Sequence, residues 1–77
     1  MTLDEFIKAF ADEFDDTEAS EFKADTDFKN LDEWSSLTAL SIIAMIDDQL
    51  DKTITGADIR ASKTIEDLYN LAISKEW

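Results

Sequence analysis

The chain has 77 residues, with 19 acidic against 7 basic side chains and a formal net charge of −12. That length gives one small domain, and a field of that sign repels nucleic acid backbones and anionic lipid surfaces while attracting proteins that present Lys and Arg. Cysteine and histidine are both absent, which rules out disulfide staples and leaves zinc without its usual ligands, so stability has to come from packed helices.

The start, Met1 to Phe10, lacks the basic and continuously apolar regions of a secretory leader. The longest apolar run, Ile42 to Ile46, is too short to span a bilayer. A cytoplasmic monomer is expected. Proline is absent, Gly56 is the only glycine, and strand alternation is missing. Helical spacing recurs along the chain, so the fold class reads as all-α.

The first helix is predicted from Leu3 to Phe14, opened by a capping box of Thr2 and Glu5. Leu3, Phe6, Ile7, Phe10 and Phe14 share one face and read as core. A long connection, Asp15 to Ser35, follows. Loops of that length are uncommon in compact domains, and its scattered apolar residues suggest that it is pinned to the helices, with Phe28 and Leu31 as anchors and a helical turn around Glu18 to Phe22. The second helix is predicted from Ser36 to Leu50, burying Ala39, Ile42, Ile43, Ile46 and Leu50. Its opposite side carries Leu37, Thr38, Ser41, Ala44, Met45 and Asp48. Leu37 and Met45 are apolar where a water-facing side should be polar, and they read as a partner contact. A short third helix, Gly56 to Ala61, points Ile54 and Ile59 inward. The fourth, Ile65 to Lys75, is capped by Thr64, with Glu66 and Asp67 favourably placed in its first turn.

Catalysis needs a base, a nucleophile or a metal. Without His or Cys, only carboxylates, Ser, Lys and Tyr69 remain, and paired carboxylates carry little information on a polyacidic surface. The best calcium-loop candidate begins at Asp25, but Lys29, Asn30 and Ser36 stand where an EF-hand needs an oxygen ligand, a glycine and a glutamate. The chain is therefore read as neither an enzyme nor a metal site. What stands out is Asn30-Leu31-Asp32-Glu33-Trp34-Ser35-Ser36-Leu37, an acidic stretch running into a serine that opens the most apolar helix. Either Ser35 or Ser36 is a plausible N-cap.

That segment resembles the attachment site of acyl carrier proteins, where a serine in an Asp-Ser-Leu motif opens the second helix. Ser36-Leu37 matches the last two residues of the motif. Phe28 and Leu31 before it, and Leu40, Ile42, Ile43, Ile46, Asp47, Asp48, Leu50, Ile54 and Thr64-Ile65 after it, follow the family's spacing. The resemblance implies a four-helix bundle with a long first loop and a short third helix. It implies that Ser36 carries 4′-phosphopantetheine taken from coenzyme A by a phosphopantetheinyl transferase. The arm's thiol then holds acyl groups as thioesters for enzymes of fatty acid, polyketide or related synthesis. An acyl chain is implied to fold back among Leu40, Ile43, Ile46, Ile54, Ile59, Leu68 and Tyr69, residues that otherwise read as a packed core. Leu37, Met45, Asp47 and Asp48 would dock partners bearing basic patches, with Glu33 adding to the steering charge. Ser35 departs from the pattern by replacing the family's aspartate. A carrier-like acidic interaction module that is not modified is the competing expectation.

Overall fold

The computed structural model describes residues 1–75. Four α-helices appear in chain order: α1 (Leu3–Asp12), α2 (Ser36–Leu50), α3 (Gly56–Ala61) and α4 (Ile65–Ser74). Among the described residues there is no strand. Helix α1 packs on α2 and α4, α2 also packs on α3 and α4, and α3 packs on α4.

Local chemistry explains most helix starts. Thr2, Thr55 and Thr64 each accept a backbone N–H three residues on, and Glu5, Asp58 and Asp67 bond back to the cap, giving three reciprocal capping boxes. Helix α1 ends at Asp12, short of the predicted Phe14, because the Glu13 and Phe14 N–H groups tighten onto Phe10 and Ala11 carbonyls three residues back. Helix α4 ends at Ser74, and Lys75 instead pairs with Asp58 of α3 at 2.9 Å.

The core is an aromatic cluster grafted onto aliphatic side chains. Phe6, Phe10 and Phe14 of the α1 face are buried together with Phe22 and Phe28 from the long connection. Ring centroids lie 5.4 Å apart for Phe10–Phe28, 4.9 Å for Phe14–Phe22 and 5.0 Å for Phe28–Trp34, within the range where tilted aromatic pairs attract. The connection is thus pinned, as expected, with Phe22 and Phe28 as its fully committed anchors and Leu31 only partly buried. It contains two 3₁₀ turns, Ala19–Glu21 near the predicted position and Phe28–Asn30, which no pattern in the sequence predicts. Its backbone also serves α4: the Ala24 and Thr26 carbonyls accept the Glu66 and Ile65 N–H groups at 3.0 and 3.2 Å, satisfying first-turn donors that a helix leaves unpaired.

Ile46, Ile54, Ile59 and Leu68 belong to this same buried cluster, with Ile43 and Tyr69 packed at its edge. Leu40 does not. It is 61% exposed, contrary to its expected place among interior side chains.

Candidate functional site

Two adjacent serines divide the work at the head of α2. Ser35 is the N-cap: its backbone is extended, and its Oγ accepts the Thr38 N–H at 3.3 Å. The Thr38 hydroxyl lies 3.2 Å from Ser35 Oγ and donates to the Glu33 carbonyl at 3.0 Å. Serine caps about as well as aspartate, so the departure at Ser35 keeps the cap and gives up a charge. Ser36 is the first helical residue. It is exposed, and among the described residues its side chain makes no hydrogen bond. Its hydroxyl stands in a fixed place, with no base hydrogen-bonded to it among the described residues.

The approach to this serine is held from behind. The Glu33 carboxylate accepts the Asp15 and Asp16 N–H groups at 3.2 and 2.8 Å and the Thr17 hydroxyl at 2.6 Å. The Thr17 hydrogen bond, helped by the two N–H groups and opposed by desolvation, holds the Glu33 carboxyl below the usual carboxylate range. Glu33 is thus a clamp between the end of α1 and the start of α2 rather than a free steering charge. Trp34 completes the anchorage, edge-on to Phe28 and stacked near Phe14 at 6.4 Å.

Beyond Ser36, the outer face of α2 carries Leu37 and Leu40, 76% and 61% exposed, then Ala44, Asp47 and Asp48, all open to solvent. Met45 is not part of this face. It is 7% exposed and packs in the core, which corrects its expected role as a docking residue. At about 100° per residue, Met45 lies about 60° from Ile42 on one side of the helix, and Leu40 about 60° from Leu37 on the other. Nearly every side of α2 is apolar, so the pattern alone misjudges the rotation. Packing on α1, α3 and α4 turns the Met45 flank inward, where a long flexible thioether fills the gap. Leu40 is Leu37's neighbour one turn on and shares its exposure, not the interior place that the implied acyl-chain space gives it.

Beside Ser36 lies a cleft of about 370 Å³ lined by Lys29, Trp34, Ser35, Ser36, Ala39, Gly56, Ile59 and Arg60. Nothing in the local sequence announces it, because its walls come from the connection, α2 and α3. A larger hollow of about 800 Å³ between α1 and the first 3₁₀ turn includes Ile7, Ala11 and Phe22 and contains none of the residues at the head of α2.

The site suits a covalent arm. The free Ser36 hydroxyl stands clear of the capping network and opens onto a cleft with room for a chain. No helix among the described residues is long and apolar enough to cross a membrane. No curated protein and no solved structure matches the sequence. The phosphopantetheine attachment site family matches residues 4–72, from α1 through most of α4. The chain therefore belongs to this family of acyl-carrier-type domains, non-catalytic carriers of covalently bound 4′-phosphopantetheine.

Proposed function

We propose that Ser36 is the attachment residue, that this single cytoplasmic domain carries acyl intermediates of fatty acid, polyketide or related synthesis, and that partners read the outer face of α2. The observation that carries the reading is the division between the two serines: Ser35 is spent on the helix cap, while Ser36 is exposed and unbonded. In priming, Ser36 Oγ attacks phosphorus in the pyrophosphate of coenzyme A. Its proton passes to a base of the transferase, and the adenosine-bearing phosphate leaves. The bound arm supplies a thiol that holds acyl groups as thioesters, a sulfur that the cysteine-free chain does not have.

The chain's own contribution is presentation. The Ser35 cap, the Thr38 bond to Glu33 and the Glu33 clamp fix where Ser36 stands. Leu37 and Leu40 offer apolar contact beside it. Asp47 and Asp48 supply charge that steers basic partners and favours fast association over tight binding. Their position supports a functional reading. They occupy the last turn of α2, which has no basic residue, where the helix dipole disfavours negative charge. Asp51, just beyond, takes a left-handed conformation with φ 56°, which adds to the cost of this end. Acids kept where they weaken the helix are better explained by a partner than by folding.

Intact mass after incubation with coenzyme A and a broad-specificity phosphopantetheinyl transferase tests this. The expected gain of one phosphopantetheine persists in Ser35→Ala and disappears in Ser36→Ala. A wild-type chain that stays unmodified would favour the competing acidic interaction module.

A further inference from the structure

We infer that the cleft beside Ser36 is a seat for a phosphodiester, in which Lys29 and Arg60 hold the anionic phosphate of the arm against the body of the domain. The inference rests on attachment at Ser36 and adds a site to it. A chain with 19 acidic and 7 basic residues would be expected to line any cleft with carboxylates. The lining of this one includes two cations and no acid.

Lys29 is held in place, and Arg60 lines the same cleft with no side-chain bond of its own among the described residues. Lys29 Nζ donates to the Arg60 carbonyl at 3.0 Å, and its ammonium lies 5.9 Å from the centre of the Phe28 ring. An ammonium has three donors, so this contact leaves two to meet an anion. The Arg60 guanidinium folds back over Gly56: a Cβ added there would meet Arg60 Nη1 at 3.4 Å. Arg60 has no carboxylate partner among the described residues; the acid of its own helix, Asp58, is two residues away on another face and pairs with Lys75. Lys29 has a structural duty at the end of α3. The Arg60 side chain has no such duty and remains free for a ligand.

The phosphate would be joined directly to Ser36 Oγ, a residue of the same cleft. Surface ion pairs are individually weak, but a tethered partner meets its site at an effective concentration in the millimolar range or above. Weak pairs then suffice to keep the phosphate seated at low salt and to release it easily to a docking enzyme. Self-repulsion in a chain of net charge −12 disfavours an added anion while the dipole at the head of α2 favours it, so what marks the seat is that the gain depends on Arg60 and Lys29.

The test compares apo and arm-loaded chains of the wild type, Arg60→Gln, Arg60→Lys and Lys29→Gln, by thermal unfolding and by ³¹P NMR at low and high salt. Loading is expected to raise the wild-type Tm by about 2–6 °C at low ionic strength. The gain should vanish in Arg60→Gln, survive in Arg60→Lys, shrink in Lys29→Gln and fade at about 0.5 M salt. The ³¹P shift should change with Arg60→Gln. Because each loaded chain is compared with its own apo form, any loss of the Lys29 bond to α3 cancels. A loaded chain whose Tm is unchanged or lower, or a gain retained in Arg60→Gln, overturns the seat while leaving attachment at Ser36 intact. A chain that takes no arm overturns attachment and the seat with it.

Discussion

The separation of roles between Ser35 and Ser36 makes a quantitative prediction. Removing an N-cap hydroxyl costs about 0.5–2 kcal/mol. The bond from Thr38 N–H to Ser35 Oγ is long, at 3.3 Å, and Ser35 Oγ has a second contact with the Thr38 hydroxyl at 3.2 Å. A value near the middle of the range, about 1 kcal/mol, is expected for Ser35→Ala, which lowers Tm by about 4–8 °C in a domain of this size. Ser36→Ala removes an exposed, unbonded hydroxyl from a helical position and substitutes the best helix former. It should change stability by less than about 0.5 kcal/mol. Ser35→Asp keeps the cap and adds a favourable charge at the N-terminus of α2, for a gain of about 0.3–1 kcal/mol at low salt. It should also speed priming by restoring a negative charge beside the nucleophile. Urea unfolding followed by far-UV circular dichroism on the apo chains gives all three values on one scale. Equal losses from the two alanine variants, or no loss from Ser35→Ala, would refute the assignment of Ser35 as the cap and of Ser36 as the free hydroxyl.

The remaining predictions test the clamp, the rotation of α2 and its acidic end. Glu33→Gln should weaken the fold near neutral pH. Because the folded Glu33 carboxyl is held below its ordinary value of 4.5, the stabilisation it gives is present above that value and is lost as pH falls through the lower folded pKa; urea midpoints of wild type and variant should therefore converge as pH falls through that range, and a gap that stays constant with pH would count against the clamp. Met45→Ala should cost about 2–5 kcal/mol and Leu40→Ala less than about 0.5 kcal/mol, with only Leu40→Ala weakening contact with a partner enzyme; similar unfolding midpoints for the two would mean that α2 is rotated otherwise. Asp47→Lys with Asp48→Lys should stabilise the apo chain by about 0.3–1 kcal/mol per site at low salt while slowing association with the transferase, most strongly at low ionic strength. Stopped-flow kinetics and unfolding on the same variant check both halves, and an unchanged on-rate removes these acids from the docking surface.

Sequence alone determined the features that depend on nearest neighbours along the chain. The four helices, the caps at Thr2 and Thr64 with their nearby acids, and the inward positions of Phe6, Phe10, Ile42, Ile46, Ile54 and Ile59 all follow from periodicity and side chains three or four residues apart. The candidate attachment segment was legible through its resemblance to acyl carrier proteins, carried by residues from Phe28 to Ile65; a serine opening an apolar helix reads by itself only as a cap. Tertiary structure alone decided the rest. A helix that is apolar on most sides has no preferred rotation until neighbours pack against it, so burying Met45 and exposing Leu40 waited on α1, α3 and α4. Which of two serines with equal capping propensity takes the cap is decided by the backbone that commits Ser35 to Thr38. Glu33 became a clamp because folding brings the Asp15 and Asp16 backbone to it across some 17 residues of chain, and Lys29 met Arg60 across 31. Such pairings are set by the closure of the whole bundle, which no local window of sequence encodes.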